Sequence, residues 1–224
     1  MLEGYLTQVA TESALAEEPA AVSARLRSVF SAGAGRRATV LGLLIGKVLE
    51  DRERWPTDAI VYASRFGETR ALSAFLDTFP HPSPTLFQTS VHPSAVQQVM
   101  IERRRPVPEY FPLAGGPDLA ARALVTAFAC PAEAVILCGG DERGSWMAEA
   151  GVASDQGFAF AALLRRSAGP APLARLRLTP AEGPAAGGLA FPDWFALLHG
   201  RRAFGGPVSP DWRLELEWLR PAGP

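Results

Sequence analysis

Few residues of this chain have the chemistry of a nucleophile, and their spacing limits what each could do. Cys138 closes the apolar run Ala134-Val135-Ile136-Leu137-Cys138. A thiol in such a run is a small hydrophobe unless a cation or a helix start holds it as the thiolate, and the same applies to Cys130. Ser90 and His92 stand two apart. The imidazole could take the serine proton if folding brings the pair to hydrogen-bond distance, and structural hydrogen bonding is its other use. A stand-alone acyl-transfer enzyme would therefore draw on Cys138, or on Ser90 with His92. Metal chemistry finds no ligand spacing among two cysteines and three histidines. Gly33-Ala34-Gly35 lacks the third glycine and the preceding strand of a dinucleotide loop. GxxxxGK[ST] and GxSxG are absent. No cofactor is expected.

The stretch that must position any such site runs from Pro106 to Glu142. Pro106 and Pro108 open an extended segment in which Tyr110 and Phe111 suit a strand. Gly115-Gly116 permits a tight reversal, Pro117 is pre-set for a first helical turn, and Asp118 favours the positive end of a helix dipole. Leu119, Ala120, Ala123, Leu124, Ala127 and Phe128 then recur at helical spacing. The apolar run ending at Cys138-Gly139-Gly140 reads as a strand covered on both faces, which suits a parallel α/β sheet.

The rest of the chain fits that class. With 224 residues, 48% of them hydrophobic, the chain can bury a proper core. Its 22 basic and 23 acidic residues nearly cancel, so no electrostatic footprint points to nucleic acid or an anionic membrane. No apolar run approaches about 18 residues, and no basic-then-apolar leader opens the sequence, so a cytoplasmic protein without a membrane span is expected. Tyr5 to Thr11 suggests a first strand, and Glu12 to Ala34 an exposed amphipathic arm. Thr39 to Leu49 reads as a buried helix, Ala59 to Ala63 as a buried strand, and Thr69 to Phe79 as a helix with Leu72, Phe75 and Leu76 inward. Pro80, Pro82 and Pro84 stiffen a loop, and Pro93 opens a helix carrying Ala95, Val96, Val99 and Met100. Glu102 to Arg105 is a solvated turn or a contact for an acidic carrier protein. Gly157 to Leu164 is a buried strand, Leu173 to Leu178 an edge strand in a Gly/Pro-rich joint, Phe191 to His199 a helix, and Trp212 to Trp218 a half-exposed closing strand.

Four segments carry a resemblance to a known family: Arg36-Arg37 before the buried helix; Ala63-Ser64-Arg65-Phe66-Gly67-Glu68; Ser83 to His92, SPTLFQTSVH; and the strand Ala159 to Leu164. Together they are similar to the N-terminal-like β-ketoacyl synthase proteins of bacterial aryl polyene and related pigment pathways. Where that family shows asparagine after the histidine, this chain has Pro93. The resemblance implies a thiolase-like half-fold, a mostly parallel mixed sheet covered by helices, with a short C-terminal strand appendage. It divides the chain into a strand and arm (1–35), a ketoacyl synthase N-terminal-type core (36–168), and a joint with helix and closing strand (169–224).

Full ketoacyl synthases carry a nucleophilic cysteine on this strand-turn-helix in a motif like TACASG. Laid on this chain without a gap, with the later AGG on Cys138-Gly139-Gly140, the motif puts the cysteine position at Ala114. The histidines that the synthases supply from a C-terminal half have no counterpart here. The resemblance thus implies a non-catalytic subunit, like a chain-length factor, that forms a heterodimer with a catalytic β-ketoacyl synthase. Acyl carrier protein would be met through that complex. In such dimers the strand before the nucleophile pairs across a twofold axis, which nominates Tyr110, Phe111, Leu113 and Ala114, with Gln97, Gln98 and Met100 on the preceding helix, as interface and tunnel residues. A homodimeric carrier-binding scaffold is the remaining alternative.

Overall fold

The computed structural model describes residues 1–51, 55–56, 58–144, 146–181, 183 and 187–219. Eight strands form one mixed sheet: β1 (Leu2–Ala14), β2 (Ala59–Ser64), β3 (Glu109–Ala114), β4 (Ala134–Asp141), β5 (Gly157–Arg165), β6 (Ala174–Pro180), β7 (Phe204–Ser209) and β8 (Trp212–Trp218). Their spatial order is β3-β2-β4-β5-β1-β6-β8-β7. Eight helices complete the described elements of regular structure apart from two short 3-10 turns: α1 (Pro19–Leu26), α2 (Ala32–Gly35), α3 (Val40–Val48), α4 (Thr69–Leu76), α5 (Pro84–Ser90), α6 (Ser94–Arg103), α7 (Leu119–Ala129) and α8 (Phe191–His199).

The continuous apolar runs follow from burial of both sheet faces, because successive side chains of a strand point to opposite sides. Ala59, Val61 and Ala63 of β2, Val135 and Leu137 of β4, and Phe158, Phe160 and Ala162 of β5 pack with α7 and α8. Ile60 and Tyr62, Ile136 and Cys138, and Ala159, Ala161 and Leu163 pack with α1, α3 and α6. In α7, Ala120, Ala121, Ala123 and Ala127 let the helix approach closely while Leu119, Leu124 and Phe128 fill the layer. Each large side chain so buried contributes about 1.5–3 kcal/mol. Gly139 and Gly140 mark close approaches within the sheet, where an added Cβ would lie 2.3 Å from the Ala63 carbonyl oxygen and 2.2 Å from that of Phe158.

Several expectations are corrected. The sheet is mixed but not mostly parallel: β2 runs parallel to β3 and β4, while β4–β5, β5–β1, β1–β6, β6–β8 and β8–β7 are antiparallel. β1 is a central strand, and α1 behind it buries Val22 and Leu26 against α3 rather than forming an exposed arm. β6 is no edge, since it lies between β1 and β8. It shares one sheet with the rest, although residues 182 and 184–186 of the expected joint fall outside the described residues. In α4 the inward positions are Thr69 and Ser73, whereas Leu76 is 43% exposed. Ser83 caps α5 by accepting the Leu86 N–H at 3.4 Å, and Pro84 occupies its first turn, so the proline-rich stretch ends in a helix. Glu102 accepts the Ser31 N–H, and Arg103 and Arg105 donate to the Gly46 and Trp55 carbonyls, so this segment ties elements together.

Candidate functional site

The parallel strands β2, β3 and β4 end side by side, at Ser64, Ala114 and Asp141, and the side chains that follow them build a buried polar cluster. Asp141, 1% exposed, takes the Ser64 hydroxyl (3.0 Å) and the Arg65 N–H (2.9 Å) on Oδ1, and Arg65 Nε (2.6 Å) on Oδ2. Arg65 reaches on to Ser154 Oγ at 2.9 Å. The Ser64 hydroxyl in turn accepts the Gly67 N–H at 2.9 Å. Gly67 turns the chain at φ 66°, a value glycine adopts without strain, and its Cα faces His92.

Two more carboxylates sit where helices begin. Glu142 accepts the Arg70 N–H of α4 (2.8 Å) on Oε1 and the Leu41 N–H of α3 (3.2 Å) on Oε2. Glu68 accepts the Ala95 N–H of α6 at 2.6 Å. Three helix N-termini thus converge on two acids, each satisfying donors that the helix leaves unpaired. Loss of water nevertheless dominates: burial pushes both Glu68 and Glu142 up to about 7. The second oxygen of Glu68 lies 3.9 Å from His92 Nδ1. The His92 ring stacks on buried Tyr62, centroids 5.0 Å apart, and desolvation lowers its proton affinity.

The three possible nucleophiles are all disarmed. Cys138 is 0% exposed, and burial drives its thiol far above the ordinary range. Cys130 is buried too and donates to Glu109 at 3.0 Å. Ser90 spends its hydroxyl on the Phe87 carbonyl at 2.8 Å, while His92 faces Tyr62 and Glu68, so no Ser90–His92 dyad forms. At the turn, Ala114 is exposed, Gly115 and Gly116 take φ 62° and 86°, and α7 starts at Leu119. A strand, a glycine turn and a helix start thus follow one another here, with a methyl group at position 114.

The other nominated residues do not form one surface. Tyr110 packs its ring into the α3/α6 layer, whereas Phe111 and Leu113 turn to the α7 layer. Gln98 is used internally, accepting the Thr39 N–H at 3.0 Å where α6 crosses the start of α3, and Met100 packs against the same layer. Gln97 is exposed and lines an apolar groove of about 730 Å³ with Phe30, Phe87, Val91 and Ile101. Asp141 and Glu142 were not singled out from the sequence. Two adjacent acids directly after a buried strand that ends in two glycines were the available signal.

No family model matches the sequence, and no curated protein matches it significantly. Solved structures do match. The ketosynthase (ApeO) in complex with its chain length factor (ApeC) from Xenorhabdus doucetiae aligns at TM-score 0.68 and 23% identity, over 96% of this chain and 100% of that chain. The chain has the thiolase-like ketosynthase fold. The ishigamide ketosynthase/chain length factor aligns at TM-score 0.56 and 15% identity, over 80% of this chain and 68% of that one. A β-ketoacyl synthase from Burkholderia phymatum STM815 aligns at 0.55 and 10%, over 80% and 65%. Among the described residues no helix is long and apolar enough to cross a membrane, and no cluster of three or more His, Cys, Asp or Glu could hold a metal ion.

Proposed function

We propose that this protein is a non-catalytic, chain-length-factor-like subunit that pairs with a catalytic β-ketoacyl synthase in polyketide or fatty-acid-like polyene synthesis, and meets acyl carrier protein through that complex. The observation that carries the reading is the exposed Ala114 at the end of an edge strand, where the ketosynthase fold presents its nucleophile. The match over the whole of a chain from a ketosynthase/chain length factor complex supports it. So do the exposed apolar side chains around α5 and α6, where Phe79, Phe87, Val91 and Ile101 are 57%, 54%, 46% and 76% exposed. A partner would supply the covalent chemistry, and this chain a wall and a scaffold.

Co-expression with a full-length ketosynthase encoded beside it tests the proposal. A one-to-one complex stable to size-exclusion chromatography is expected, and a chain that never co-purifies with that synthase would overturn it. Chemistry by this chain alone has its own test. Because both cysteines are buried, intact-mass spectrometry after treatment of the native protein with an acyl thioester or a thiol-directed probe should detect no adduct, and labelling should occur only in denaturant. Adduct formation on the folded protein at Cys138 or Ser90 would instead make it an acyl-transfer enzyme.

A further inference from the structure

The edge strand β3 has a donor pattern that distinguishes a foreign strand from a second copy of this chain. Glu109 and Gly115 donate their N–H groups inward, to the Asp58 and Ser64 carbonyls. Backbone groups alternate sides along a strand, so Phe111 and Leu113 also face β2, and Tyr110, Pro112 and Ala114 turn theirs outward. Pro112 has no N–H to offer, and its ring is exposed at the middle of the edge. The outward carbonyl of Ala114 is already held by Arg122 Nη2 at 3.1 Å, a guanidinium that also contacts the Gly115 carbonyl.

We propose that Pro112 and Arg122 bias this edge against self-pairing and reserve it for an antiparallel strand of a different chain. The inference rests on the subunit reading above and specifies its partner. Two copies paired about a twofold axis at Pro112 set proline against proline, so the central pair exchanges no hydrogen bond. Each ring also presses on the facing carbonyl. In the flanking pairs the Tyr110 N–H of each copy must share an Ala114 carbonyl that already accepts from Arg122, which weakens those bonds, and only the bonds from the Ala114 N–H to the Tyr110 carbonyl are unhindered. Sliding the register by one pair sets Pro112 against Tyr110 and brings Pro108 into the ladder, which again removes a donor. A foreign strand with an ordinary residue opposite Pro112 keeps the bond to the Pro112 carbonyl. It meets the ring once, where a bulge can absorb it. The far edge is closed differently: the Leu189 N–H binds the Val208 carbonyl of β7 at 3.3 Å, beside the donor-free Pro207.

Sedimentation equilibrium of the wild type, P112A and R122A, each alone, measures the effect. Because Pro112 and Arg122 are both exposed, neither change removes core packing, and circular dichroism melts verify folding. Each variant should self-associate at least about fivefold more tightly than the wild type, since P112A adds, and R122A frees, one hydrogen bond worth about 0.5–1.5 kcal/mol at each half of the twofold. The two changes together should exceed either. Self-association constants within twofold of one another for all proteins would overturn the proposal. Capture of the ketosynthase is scored separately: if the wild type fails to bind it, the subunit reading fails, while tighter self-association of P112A still upholds the selectivity of the edge.

Discussion

The unfolding free energy of this protein should fall as pH rises from about 5 to about 7.5, opposite to the acid lability of most proteins. Glu68 and Glu142 have folded-state values of about 7 against 4.5 for a free glutamate, because burial penalises their ionised forms. Between those values the native state holds protons that the unfolded chain has released. The stabilisation is therefore fully present below about pH 4.5 and is lost as pH passes the folded value, by up to about 3 kcal/mol for each group. His92 works against this below its ordinary value of 6.5, since its folded-state affinity is lowered and the unfolded chain binds the proton first. One histidine offsets one acid over part of the range, so the net slope stays negative. Urea midpoints measured across the range should drop steadily. In the double variant E68Q/E142Q most of the drop should disappear, leaving the opposed contributions of Asp141, whose carboxyl burial also pushes up, and of His92. A flat wild-type profile would refute the assignment of these carboxyls as protonated near neutrality.

Replacing Asp141 by alanine should lower stability by about 3 kcal/mol or more at neutral pH. The side chain collects three donors: the Ser64 hydroxyl, the Arg65 N–H and Arg65 Nε. Removing it leaves the O–H donor of Ser64 without its acceptor at a buried position and strips Arg65 of its counter-charge. Arg65 retains some contact with water, its side chain being 26% exposed, so the loss stays below that of a wholly buried pair. Asp141→Asn preserves shape and one acceptor oxygen and should be milder. Ser64, Arg65 and Asp141 join the ends of β2 and β4, so D141A should also loosen the Gly67 turn, seen as faster amide exchange at Gly67. A loss under about 1 kcal/mol with an unchanged m-value would show that the cluster contributes little to the fold.

How much of this was legible beforehand differs by element. β2, β4 and β5 announce themselves as apolar runs because both faces are covered, and α7 by its alternation of alanine and large apolar residues. The relative directions of the strands do not follow from such runs. A buried antiparallel strand such as β5 has the same apolar composition as a parallel one, so composition does not reveal how much of the sheet is parallel. β7 was not anticipated, since FGGPVS has two glycines and a proline and is a strand only because β8 pairs with it. The resemblance supplied the thiolase-like fold. It nominated Tyr110 and Gln98 for an interface, yet the first is turned into a layer of the core and the second is spent on Thr39. The motif SRxGE became intelligible only when folding brought Asp141 beside Ser64 and Arg65, a pairing of residues some seventy-five positions apart. No local pattern records such a pairing.

The place of β1 has a consequence for how the molecule is made. Residues 2–14 are made long before their neighbours in the sheet, residues 157–165 and 174–178. At about 5–20 residues per second, the nascent strand waits roughly ten to thirty seconds for either flank to be translated. Through that interval β2, β3, β4 and α7 can assemble by themselves, while the strand that joins the two halves of the sheet has both sides open. Contacts of such long sequence separation slow folding. The chain should accordingly depend on chaperones early in synthesis and become protease-resistant abruptly, once α8 and β8 have emerged to cover β5 and pair with β6.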